Sequence, residues 1–233
     1  MPPLRCRLDQ RRTLNSTLAA VAIVAFAGVL APAATAARCT KTYSYAGLVS
    51  SRDGHGVRAT LEALKVPSVS WGHVAAWVGV GGTNAGPRGE AEWIQVGYAG
   101  FYGGESRLYY EITQPGAAPR FVEVEDDVLP GRVHRVGVAE MRQRPNWWRV
   151  WVDGRAVSKP VYLPGSHGTW QPVATAESWN AGTAACNGFA YRFSRLRVAG
   201  RLGIWRPFVV GSELKDPGYR ISRSPAGFVA RRG

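Results

Sequence analysis

Runs of β-branched and aromatic residues, cut at short intervals by Gly, Pro, Asn and Asp, constrain this chain more than any other feature. Trp71 to Val80, Glu92 to Tyr102, Arg107 to Thr113, Arg120 to Val124, Arg132 to Glu140, Trp147 to Val152, Val173 to Trp179 and Phe189 to Val198 read as strands. Asp153-Gly154 inside WWRVWVDGRAVSKP marks a hairpin turn. Val57 to Val66 contains ATLEALK, which has helical propensity, but Pro67 and the surrounding pattern favour a strand. With no sustained helical period, the pattern predicts an all-β chain: a two-sheet antiparallel β-sandwich of the concanavalin-like jelly-roll type. Residues 199–233 are rich in Gly, Pro and Arg and read as a basic C-terminal extension. Trp205, Phe208 and Tyr219 would pack it down before its end frays.

The first 36 residues carry a targeting signature instead. Arg5, Arg7, Arg11 and Arg12 precede an apolar run from Leu18 to Leu30, and Ala34-Thr35-Ala36 offers a small-x-small cleavage pattern. This predicts a secretory signal peptide over 1–36 and one domain over 37–233, secreted and without stable membrane insertion after cleavage. The formal net charge is +13, and +10 once that segment is removed with its four arginines and one aspartate. Such a balance suits solubility or adhesion to anionic cell-envelope polymers. The arginines are scattered, no nucleic-acid motif is present, and export argues against nucleic acid as a partner. Cys39 and Cys186 remain as an even pair in an oxidising compartment, which favours a disulfide. Closing so long a loop stabilises by at most about 5 kcal/mol in the chain-entropy model.

Much familiar chemistry is missing from the sequence. There is no G-x-S-x-G elbow and no H-E-x-x-H pair. His55, His73, His134 and His167 are isolated and read as structural or solvated. Glu123, Glu125, Asp126 and Asp127 precede a Pro-Gly turn but lack calcium-loop spacing. No metal or organic cofactor is expected.

One constellation remains. In AEWIQVGYAGFYGG, residues 91–104, Trp93, Gln95 and Gly97 share one face of an extended chain. Gln95 therefore lies beside a tryptophan on a face that small residues keep open. Ala76-Trp77-Val78-Gly79-Val80-Gly81-Gly82 resembles the tryptophan-glycine strand of the glutamic peptidases, the eqolisin family, in a divergent bacterial-type form. Ile94-Gln95-Val96-Gly97 resembles the strand with that family's catalytic glutamine. Leu108-Tyr109-Tyr110-Glu111 with Pro115 resembles its tyrosine-glutamate strand, and Ala176-Glu177-Ser178-Trp179 the segment with its catalytic glutamate. The order is the family's, and Gln95 and Glu177 stand 82 residues apart. The family pattern is broken at Gly81, where an aspartate is expected, at Ile112 and Thr113, and at Asn180 and Ala181.

The resemblance implies a β-sandwich that hydrolyses peptide bonds in an extended polypeptide. Glu177 would be general base and then acid, and Gln95 the oxyanion donor. Trp77, Trp93, Tyr110 and Trp179 would bind substrate, with Glu111 in support. The chemistry stands by itself: hydrolysis by water needs a group to take a proton and a donor for the carbonyl oxygen as charge builds on it. A primary amide supplies N–H donors and does not ionise. The competing expectation is a non-catalytic, lectin-like module that binds carbohydrate or cell envelope through Trp147, Trp148 and Trp151. There, Trp147 and Trp151 share one strand face and Trp148 takes the other.

Overall fold

The computed structural model describes Cys39 and residues 42–232, so the expected signal segment lies outside the described residues. The strands are β1 (Tyr43–Ser50), β2 (Gly56–Ala63), β3 (His73–Gly82), β4 (Glu92–Gly100), β5 (Ser106–Thr113), β6 (Arg120–Glu125), β7 (Val133–Met141) and β8 (Arg144–Val152). They continue with β9 (Arg155–Ala156), β10 (Val161–Tyr162), β11 (Val173–Trp179), β12 (Phe189–Ala199), β13 (Trp205–Pro207), β14 (Val210–Lys215), β15 (Arg220–Ser224) and β16 (Gly227–Arg232). One sheet runs β14-β1-β11-β3-β4-β5-β6. The other runs β10-β8-β7-β2-β12-β16-β15, with β13 beside β12 and β9 beside β8. Every pairing of named strands is antiparallel. The chain is a two-sheet antiparallel β-sandwich.

The layers follow from alternation. Val74, Ala76, Val78 and Val80 of β3, Ile94, Val96 and Tyr98 of β4, and Leu108, Tyr110 and Ile112 of β5 point inward. They meet Val57, Ala59 and Leu61 of β2, Val136 and Val138 of β7, and Phe189, Tyr191 and Phe193 of β12 from the other sheet. The helical propensity of ATLEALK is overridden because β2 lies between β7 and β12, and alternate side chains enter this core. The Asp153-Gly154 turn has positive φ at both residues, 48° and 83°, as a two-residue hairpin between β8 and β9 requires. Cys39 and Cys186 form a disulfide, Cα–Cα 5.5 Å.

Two expectations need correction here. The C-terminal segment is strand through Arg232. β16 pairs with β12 inside the second sheet, and Phe228 and Ala230 are buried in the core. β14 edges the first sheet beside β1, and Tyr219 is buried as well. Trp148 is 0% exposed and donates its Nε1–H to Ser166 Oγ at 2.8 Å. A side chain so enclosed cannot stack on a glycan, so the tryptophan cluster offers only Trp147 and Trp151 to solvent.

Candidate active site

The outward face of the first sheet carries the polar residues singled out in the sequence. Registers place them in rows. Tyr43, Trp179 and His73 align across β1, β11 and β3. Tyr45, Glu177, Ala75 and Ala99 form the next same-face row. Gly47, Thr175, Trp77, Gly97 and Tyr109 follow. Val173, Gly79, Gln95 and Glu111 come after that, then Gly81, Trp93 and Thr113. Gln95 and Glu177 thus lie diagonally across β3, on either side of the Trp77–Gly97–Tyr109 row. Trp93 and Trp179 stand at opposite ends of the face.

Small residues bring the central strands close together. At Gly97 a Cβ would come within 1.9 Å of the Ala76 carbonyl oxygen and 2.7 Å of Trp77 Cα. Only glycine lets β3 and β4 approach this closely there. Trp77 and Phe101 pack against Ala75, Ala99 and Tyr109 on this face, and Phe121 stacks on the Tyr109 ring.

The side chains are tied together by hydrogen bonds. Trp77 donates its Nε1–H to Glu177 Oε2 at 3.0 Å. Nε2 of His73 is 3.5 Å from Glu177 Oε1. Gln95 donates through Nε2 to the Tyr109 hydroxyl at 3.0 Å. Trp93 donates its Nε1–H to Glu111 Oε1 at 2.9 Å. Gln95 and Glu177 are each 8% exposed. Both are buried on the outward side of the first sheet, away from the inter-sheet core.

The electrostatics follow from crowding acids on a half-dry surface. Burial pushes the Glu111 carboxyl above its ordinary range. The Trp93 hydrogen bond opposes that rise and the charge of Glu177 adds to it. The Tyr109 hydroxyl is pushed well above its ordinary range, first by burial and then by Glu177 and Glu111. It therefore stays a neutral O–H. Tyr43 and Tyr45 are raised for the same two reasons, burial first and Glu177 second.

The structure brings Gln95, Glu177, Trp77, Trp93, Trp179 and Glu111 to one face. Tyr110 does not belong there: it is 7% exposed and packs in the inter-sheet core. Its neighbour Tyr109 takes the outward position. Alternation alone could have found it, because Tyr109 is two residues before Glu111 and must share its face. The same count finds His73, two strand positions before Ala75 and four before Trp77. Read as an isolated histidine it is missed; here it faces the Glu177 carboxylate.

Among the described residues, one group of donors is close enough to hold a metal ion: His55, Glu140 and His167, with atoms within 4.8 Å of one another. It belongs to the second sheet and its adjoining loops. Its members already bond one another, His55 Nδ1 with Glu140 Oε2 at 2.6 Å and His167 Nδ1 with Glu140 Oε1 at 2.8 Å.

No protein-family model matches the chain, and neither does any curated protein. Solved structures do. Scytalido-glutamic peptidase with a peptide-based transition-state analog superposes with a TM-score of 0.52 at 19% identity, over 82% of this chain and 97% of that one. The same peptidase with a transition-state analog inhibitor gives 0.52 at 17% identity over the same shares. The fold is eqolisin-like. At such identities the likeness extends to the fold alone.

Proposed function

We propose that this protein hydrolyses peptide bonds in extended polypeptides by an activated water, with Glu177 and Gln95 as the catalytic pair. One observation carries the reading: both side chains lie on one face of the first sheet, and each is aimed by a hydrogen bond from or to the Trp77–Gly97–Tyr109 row between them. Glu177 accepts a proton from water as the water oxygen bonds to the scissile carbonyl carbon. One N–H of Gln95 is given to Tyr109, and the other is free for the oxygen that gains the electron pair. Glu177 then returns the proton to the amide nitrogen, the C–N bond breaks, and an acid and an amine leave. Trp77 holds Oε2 of Glu177, and Oε1, which faces His73 Nε2 at 3.5 Å, would take the proton from the water. Trp93, Trp179 and Tyr43 wall the trough in which the polypeptide would lie.

The desolvated setting supports the chemistry, because a preorganised oxyanion donor is worth about 3–4 kcal/mol of transition-state stabilisation in a water-poor site. The test is cleavage of an unstructured protein between about pH 2 and 8, a range spanning carboxyl and imidazole titration, by the purified chain beside Glu177→Gln and Gln95→Ala. Wild-type cleavage with loss in both variants is expected. Equal cleavage by all three, or none by any, contradicts the proposal.

The same reading takes residues 1–36 as a signal peptide and residues 37–233 as the working domain. Among the described residues no helix is long and apolar enough to cross a membrane. N-terminal sequencing of protein collected outside the cell should begin at Ala37; a chain that keeps Met1 there counts against it.

A further inference from the structure

The outer face of the second sheet holds a concavity of about 1280 Å³ that the peptidase reading leaves unused. Seven arginines line it, and the only carboxylate in its lining, Glu140, is taken up by His55 and His167. None of the seven forms an ion pair among the described residues. Gathering like charges without counter-ions costs free energy, so an unneutralised cluster points to an anionic visitor.

The backbone arranges this cluster. Arg197, Arg58, Gly137 and Trp151 align across β12, β2, β7 and β8. Gly137 has no side chain and leaves the floor low between Arg58 and Trp151. Thr60 of β2 pairs with Arg135 one row along. A bulge in β12 between Ser194 and Arg197 throws an extra residue into the strand, and Arg195 there has φ of 51°. Non-glycine residues seldom adopt that conformation, and strain of this kind gathers where side chains are being aimed. Arg149 lies on the same wall with Nε shielded and unpartnered. Burial, with Arg197 and Arg135 beside it, holds the Arg58 guanidinium below its ordinary range, as mutual repulsion requires.

We propose that this groove binds a linear acidic polysaccharide, with guanidinium groups on its carboxylates or sulfates and Trp151 against a sugar face. The Arg58 guanidinium lies 4.4 Å from the centre of the Trp205 ring and covers it. That leaves Trp151 as the exposed indole of the groove, a poor ladder for stacking successive nucleic-acid bases. It leaves many planar forks for closely spaced oxyanions. Strands about 4.8 Å apart set Arg58 and Arg197 side by side in the groove. The site is on the opposite sheet from Gln95 and Glu177, and its occupation does not depend on peptidase activity.

The test titrates the full chain with polygalacturonate in about 50 to 300 mM salt, a range over which screening of exposed charges changes strongly. Arg58→Gln/Arg197→Gln should weaken binding at least about tenfold, the loss of two charge-assisted contacts. Trp151→Ala should weaken it about threefold or more, as loss of a ring contact does. Arg220→Gln/Arg231→Gln, which removes the same charge outside the groove, should stay close to wild type. Equal losses in both arginine pairs, unchanged affinity in Trp151→Ala, no binding by wild type, or tighter binding to single-stranded DNA of matched charge would each overturn it. Thermal midpoints recorded for each variant show that all remain folded.

Discussion

Tyr109 and Tyr110 are adjacent and serve opposite layers. Tyr110 fills the inter-sheet core, while Tyr109 turns out and accepts the hydrogen bond from Gln95. Tyr109→Phe should leave folding intact and release the glutamine amide. The expected result is a fall in kcat of about tenfold, or ~1.4 kcal/mol in the barrier, with KM little changed. Tyr110→Ala should instead open a cavity and cost about 3–5 kcal/mol of stability, read in a denaturant titration. Equal effects of the two changes on kcat would remove Tyr109 from the site. The sequence carried enough to place Gln95, Trp93, Glu111 and Glu177 on this face. The motif points to Tyr110, whereas a period of two from Glu111 points to Tyr109. His73 is not legible alone: its partner, Glu177, is distant in sequence and becomes its neighbour only through the β3–β11 pairing.

At the scale of the strand, legibility tracked burial. β3, β4, β5 and β11 are buried along most of their length, and their sequence boundaries lie close to the observed ones. β14 and β15 lie on sheet edges and are rich in charge and serine, so they show little alternation, and their partners are decided by long-range pairing. β16 is central but short, and its Arg-rich end disguised Phe228 and Ala230 as part of a loose tail. The close approach of β3 and β4 is likewise an element-level property, since it exists where residue 97 has no side chain. Gly97→Ala should push the strands apart against the Ala76 carbonyl. A loss of about 2 kcal/mol or more is expected from such a backbone clash, measured as a lower denaturation midpoint. A midpoint at or above that of wild type would show that the close approach is not needed.

For the whole molecule, acid should be the favourable condition. Glu92 is fully buried at the start of β4 with neither carboxylate oxygen hydrogen-bonded, and burial, helped by the charge of Glu90, pushes it up to about 7. In the unfolded chain it would titrate near 4.3. Between those values the folded state holds the proton more tightly, so this contribution is complete below the unfolded value and lost as pH rises through about 7. The upper bound on the loss is about 4 kcal/mol. Glu92→Gln should flatten the fall in stability between pH 5 and 8, followed by thermal midpoint; an unchanged slope would exclude Glu92 as its source. The fold does one further thing that no local segment does: it carries Gln95 and Glu177, on β4 and β11, to the two sides of Trp77. The most direct test of their partnership is a double-mutant cycle on kcat/KM for one peptide substrate, with Gln95→Ala, Glu177→Gln and the two combined. Loss of a proton-transfer group should cost about 10²–10⁴-fold and loss of the amide donor about 10²–10³-fold. The combined variant should be little slower than Glu177→Gln alone, as for residues that act as a unit. Losses that simply multiply, or a Glu177→Gln enzyme as fast as wild type, would contradict a shared water between them.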